Sequence, residues 1–267
     1  MSQSNPWDQG DYAALAGKLQ PAAAALAAAA GPGRSRRALD IAAGTGSVAL
    51  CLAERGWQVT ATDGAEQMVA RGQAGTAAAG HDVEWAVADL ADQPVDAGSI
   101  DLVASSFGMI FAPDVPALMA EVARVLRSDG ELVLTAWPEG GYIDGMARAM
   151  APFLPPVEGR PNNPWGSAAF LRETLAPVFA EVDIVEVSLP WAFPSAARGR
   201  AWLERVSPAH IAAKAVAGEQ AEAMMDAVEE FLARYADATG RVYVDAAYLV
   251  VHARRRGGSE AEAAAPL

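Results

Sequence analysis

Residues 38 to 64, ALDIAAGTGSVALCLAERGWQVTATDG, restrict the fold of this chain more than any other stretch. Ala38 to Ala42 is apolar enough to be a buried strand. Gly44-Thr45-Gly46 makes a tight loop, and Ser47 to Arg55 a helix with Gly56 placed to end it. Trp57 to Thr62 reads as the next strand, closing on Asp63. Small residues in the loop let a ligand approach the backbone. The first helical amides offer donors, and Asp63 stands where ribose hydroxyls would lie. This order of elements predicts an α/β unit that holds a nucleoside.

The run Gly44-Thr45-Gly46-Ser47-Val48-Ala49 also satisfies the G-x-G-x-x-G/A pattern of dinucleotide sites, a weak signal alone. Asp40 separates the two cases. Four residues before the first glycine, its carboxylate should lie beneath the loop, where it would repel a pyrophosphate and attract an ammonium group. With Asp40 to Gly46 matching D-x-x-x-G-x-G, the chain resembles the class I S-adenosylmethionine-dependent methyltransferases. The segment FGMIFAPD and Pro161 to Gly166 resemble a bacterial small-molecule group among the ubiquinone/menaquinone-type enzymes.

That resemblance implies a Rossmann-like, seven-stranded, mostly parallel sheet with helices on both faces, an N-terminal helical cap and helical lid insertions. It implies S-adenosylmethionine as cofactor, with S-adenosylhomocysteine as product. The residues expected to hold it are Tyr12, Asp40, Ala42, Gly44, Thr45, Gly46, Asp63, Gly64, Met68, Asp89, Leu90 and Ser105. Asp89 would accept from the adenine amino group while the Leu90 backbone reads the ring. Tyr12 would cover the methionine end, and Met68 would lie near the adenine.

Composition narrows the partners. Thirty-three Asp and Glu against 20 Lys and Arg give a net charge of −13, which opposes nucleic-acid binding and favours a small neutral or cationic substrate. One cysteine, Cys51, affords neither a disulfide nor a metal cluster. Asp8 and Asp11 precede the alanine-rich run at 13–30, so it lacks the basic start of an export signal. No uncharged apolar stretch of roughly 18 residues is expected to span a membrane. The expectation is a cytoplasmic monomer or homodimer.

Along the chain, residues 1–30 read as the cap, 31–253 as the methyltransferase domain, and 254–267 as a low-complexity, disordered tail. Further strands are expected at Val83 to Ala88, Ile100 to Ser105, Glu131 to Trp137, Glu181 to Val187 and Val242 to His252. A helix is expected from Asp114 to Leu126, ended by Arg127 to Gly130. Lid insertions at about 138–177 and 189–240 carry aromatic residues that can line an apolar pocket.

Methyl transfer needs a collinear nucleophile, methyl carbon and sulfur, so positioning does most of the work. No N/D-P-P-Y/F segment follows the fourth strand, and no carboxylate ends it to hold Mg²⁺, so metal-independent O-methylation of a natural-product hydroxyl is expected. His210 is the histidine placed to act as base; His81 and His252 read as structural or solvated. The alternatives are N- or C-methylation, a cyclase or isomerase that uses the sulfonium as a positive field, and an NAD-dependent oxidoreductase.

Overall fold

The structure is a computed structural model that describes residues 10–155 and 164–255, the side chain of Tyr12 excepted. Trp7, residues 161–163 of the Pro161 to Gly166 segment and the tail from residue 256 onward lie outside the described residues. The chain divides into two compact units.

The first unit is drawn from residues 20–136, 165–185 and 249–267. Its strands are β1 (Arg37–Ile41), β2 (Gln58–Asp63), β3 (Val83–Val87), β4 (Ile100–Ser106), β5 (Leu126–Ala136), β6 (Glu181–Val187) and β9 (Tyr248–Arg254). They form one sheet in the order β3-β2-β1-β4-β5-β9-β6. The pairs from β3 to β5 are parallel and β9 runs antiparallel to β5. This is the Rossmann-like α/β architecture expected.

Helices α2 (Ser47–Glu54), α3 (Glu66–Ala78), α4 (Val115–Val125) and α6 (Ala168–Leu175) complete this unit. The stripe read from the sequence buries Leu118, Met119, Val122 and Val125 of α4 in a core with Leu39, Ile41, Val103 and Leu132. The Asp114 carboxylate accepts the Ala117 N–H at 2.9 Å and caps that helix.

Two boundaries are corrected. Arg127 to Gly130 is not a helix-ending turn. It lies within β5, across a register shift in which Ile100 faces Leu126 but Leu102 faces Glu131. The single strand expected from Val242 to His252 is two, β8 (Val242–Asp245) and β9, interrupted at Ala246 and Ala247. Ala246 is fully buried and donates its N–H to Leu189.

The second unit is drawn from residues 1–19, 137–164 and 186–248. It holds α5 (Tyr142–Met150), β7 (Pro190–Phe193), α7 (Ala196–Val206), α8 (Pro208–Ala217) and α9 (Ala221–Ala233), with β7 and β8 forming an antiparallel pair. Helix α1 (Tyr12–Ala30) begins in this unit and ends in the first. Ala13–Ala30 has the length and mean hydropathy of a candidate membrane span, but Lys18 and Gln20 interrupt it, so it is not an uncharged apolar run. Leu26, Ala22 and Ala27 on it are fully buried.

Candidate functional site

In the first unit the connections reverse direction between β1 and β4, which pair in parallel. Beyond such a reversal the loops on either side diverge, leaving a crevice at the strand ends where ligands bind in open α/β sheets. The backbone is strained there on both strands. Ala42, just past β1, has φ 53°, and Phe107, just past β4, has φ 57°. Left-handed geometry in non-glycine residues persists only where the surroundings enforce it. Gly108 shows that enforcement: a Cβ there would stand 2.5 Å from the Cβ of Ala42.

Asp63, at the end of β2, organises the loop after β1. Its Oδ2 accepts the Gly44 N–H at 2.8 Å, and its Oδ1 accepts the Ala65 N–H at 2.9 Å. A carboxylate oxygen has two lone-pair sites, so a carboxylate can accept from vicinal hydroxyls as well as from amides. Thr45 is half-buried between Gly44 and Gly46. Gly46 caps α2 with φ 86°, and a Cβ on it would meet the Trp85 indole at 2.8 Å. The glycine is thus required by the protein's own packing as well as by ligand approach. Trp85 is held by its Nε1–H donating to Thr76 at 3.2 Å, and sequence reading missed it because a tryptophan on a strand looks like ordinary core.

Asp40 lies on β1 between Ala61 of β2 and Ala104 of β4, fully buried. Neither of its oxygens has a hydrogen-bond partner. Burial pushes its pKa up to about 8, the Ala49 amide at the start of α2 draws it back without reaching hydrogen-bond geometry, and the charge of Asp63 raises it further. An unpaired buried carboxyl is costly and calls for a cationic partner. The ammonium end of an aminoacyl nucleoside fits that requirement, and a pyrophosphate does not.

The loop after β3 carries Asp89, exposed, whose Oδ1 accepts the Ala91 N–H at 2.9 Å. The Ala88 N–H donates to the Asp63 carbonyl at 3.1 Å, and the Ala88 carbonyl passes close to exposed Gly64. The ends of β2 and β3 are thereby joined. Leu90 packs against the core. This loop is held from below by Gln93, which the sequence did not single out. Its Nε2 donates to the Asp89 carbonyl at 2.7 Å, its Oε1 accepts from Thr62 at 2.8 Å, and its own N–H donates to Glu121 at 2.7 Å. Arg124 pairs with Glu121 at 2.6 Å and holds the Glu121 carboxyl below the usual range. The only sequence signal was a Glu on the apolar face of α4, a polar residue in a buried stripe.

Three expected site residues, Ser105, Met68 and His210, are buried. Ser105 is fully buried and its hydroxyl is engaged by backbone, donating to Ile41 at 2.8 Å and accepting from Met109 at 3.1 Å. Met68 is buried in α3. His210 belongs to the second unit, where Nδ1 lies 2.9 Å from Ser207 Oγ and Nε2 3.1 Å from Met146 Sδ. Burial lowers its pKa to about 4. His252 pairs with Glu131 at 2.8 Å. Among the described residues no cluster of three or more His, Cys, Asp or Glu could hold a metal.

Residues 38–130 match the family model described as a methyltransferase domain. An uncharacterised protein of Mycobacterium tuberculosis is 36% identical over 161 residues, 60% of this chain and 59% of that protein. Nocamycin O-methyltransferase of Saccharothrix syringae is 41% identical over 101 residues, 36% of each chain. The chain thus spans about three fifths of the length of the first curated relatives it matches. The crystal structure of YcgJ from Bacillus subtilis superposes with a TM-score of 0.64 at 18% identity, covering 88% of this chain and 98% of that one.

Proposed function

We propose that this chain, whose residues 38–130 form a class I S-adenosylmethionine-dependent methyltransferase domain, methylates a small molecule. The observation that carries the reading is Asp40. It is a fully buried carboxyl with no partner, beneath a loop that Asp63 has already bonded into place. When bound, S-adenosylmethionine supplies an electrophilic methyl group on a sulfonium. The chain's own part is to bind and orient. Asp63 accepts from the ribose hydroxyls, Asp89 from the adenine amine, and Asp40 takes up the ammonium charge. The Gly44 to Gly46 loop brings backbone close to the nucleoside. The remaining cofactor contacts of the reading are Tyr12, Ala42, Gly64, Met68, Leu90 and Ser105.

A hydroxyl acceptor is the reading we favour, supported by the name of the nocamycin relative and by FGMIFAPD in place of an N/D-P-P-Y/F segment after β4. The same segment supports membership of the ubiquinone/menaquinone-type group. We read residues 1–30 as a cap and the insertions at about 138–177 and 189–240 as the substrate lid. The enzyme is read as cytoplasmic, a monomer or homodimer with no nucleic-acid or membrane partner, and it needs no metal. Calorimetric titration tests the cofactor: heat with S-adenosylhomocysteine and none with NAD supports the reading, and the reverse overturns it. A gain of one methyl on an acceptor, seen by mass spectrometry, tests transfer.

A further inference from the structure

The chain has two lysines, and their surroundings differ in kind. Lys214 Nζ lies 3.3 Å from Glu204 and 3.5 Å from Glu222. Among the described residues Lys18 has no carboxylate within ion-pair distance, in a protein where acids exceed bases by 13. Its Nζ stands instead over three rings of the second unit, 5.2 Å from the centroid of Phe193, 5.7 Å from Trp202 and 6.0 Å from Trp191. Trp191 and Phe193 are buried on β7, and Trp202 on α7 meets both rings. Ring quadrupoles stabilise an ammonium without cancelling its charge, whereas a carboxylate would neutralise it.

Trp191 also meets Tyr142 edge-on, with centroids 6.2 Å apart. The Trp191 indole N–H and the Tyr142 hydroxyl are both buried without a hydrogen-bond partner. Each such group costs about 1 to 3 kcal/mol when left unpaired. Two of them on adjoining rings, beside a cation with no counter-ion, form a set of donors with no acceptor. Burial also lowers the Lys18 pKa by desolvating its ammonium.

We propose that Lys18 and the Trp191 ring group bind an anionic oxygen, a carboxylate, phenolate or enolate, carried on a planar apolar body. Lys18 takes the charge, the rings pack the body, and the buried, unpaired indole N–H and tyrosine hydroxyl are the donors that the ligand's polar atoms would satisfy. This names the substrate class, and as a substrate site it rests on the methyltransferase reading. It also revises the expectation, drawn from net charge, of a neutral or cationic substrate.

The test titrates 1-naphthoate and the uncharged 1-naphthamide into the full chain and into Lys18→Met, Lys18→Arg and Trp191→Phe, with S-adenosylhomocysteine in parallel. Wild type should prefer the acid by about tenfold or more. Lys18→Met should lose that preference, Lys18→Arg should keep it, and Trp191→Phe should weaken the acid while the ring packing remains. No binding of 1-naphthoate, equal binding of acid and amide by wild type, or a preference intact in Lys18→Met overturns the proposal. The wild-type comparison decides even if a variant fails to fold. Loss of S-adenosylhomocysteine binding alone would count against the methyltransferase reading and leave the anion preference measurable.

Discussion

The Oδ2 of Asp63 accepts the Gly44 N–H at 2.8 Å, so the acid that ends one strand fixes the loop that ends its neighbour. Asp63 therefore does two things that a single substitution removes together. Asp63→Ala should lower S-adenosylhomocysteine affinity at least about tenfold, since hydrogen bonds to an ionised acceptor contribute roughly 1.5 to 3 kcal/mol each. Asp63→Asn retains one acceptor oxygen and should fall between. An unchanged calorimetric dissociation constant for folded Asp63→Ala would remove this acid from the site.

Asp40 predicts a proton count. With a pKa of about 8, the carboxyl is mostly protonated at pH 7 in the free protein. Uptake of an ammonium group should ionise it and release up to about one proton. Binding heats measured at pH 7 in phosphate and in Tris should differ by that proton's ionisation enthalpy for wild type, and should agree for Asp40→Asn. The stability sign follows. The folded pKa lies above the unfolded one, so the contribution is full below about pH 4 and is lost as pH rises through 8. Asp40→Asn should lack that decline in urea midpoint.

Gln93 predicts a loss transmitted through position. Gln93→Ala would leave the Thr62 hydroxyl and the Asp89 carbonyl without its bonds, costing about 1 to 3 kcal/mol of stability. It should also weaken discrimination between S-adenosylhomocysteine and its inosine analogue, which depends on where Asp89 sits. Chemical denaturation gives the first quantity and paired titrations the second. Full discrimination in a destabilised variant would confine Gln93 to a structural role.

His210 predicts an acid-side effect. Its folded pKa of about 4 lies below the unfolded value of 6.5. The unfolded chain therefore takes up the proton first, and stability is lost as pH falls from 6.5 to 4, by about 3 kcal/mol. A His210→Phe protein should lose less over that window in thermal melts. For catalysis, single-turnover rate against pH is the measure: a rise near pH 4, the folded pKa, that persists in His210→Ala would eliminate this residue as base.

Local pattern carried the nucleoside unit. Strand, glycine loop, helix and closing acid follow one another within 27 residues, and each is set by short-range rules: burial of apolar runs, glycine at positive φ, an acid at a strand end. The sheet's mostly parallel order came instead from the family resemblance those motifs carry. The split of the last strand at Ala246 was not, because the N–H that holds that residue donates to Leu189, which the periodicity of either strand cannot reveal.

What only the tertiary structure decided concerns groups far apart in sequence. That Gly46 must be glycine because of Trp85, that Gln93 joins Thr62, Asp89 and Glu121, and that Lys18 rests on rings from residues 191–202 depend on long-range packing. Asp40 needed both. Its spacing from Gly44 placed it under the loop, but its lack of any partner follows from the apolar neighbours that β2 and β4 bring to it, and burial there is what makes its charge a ligand's to complete.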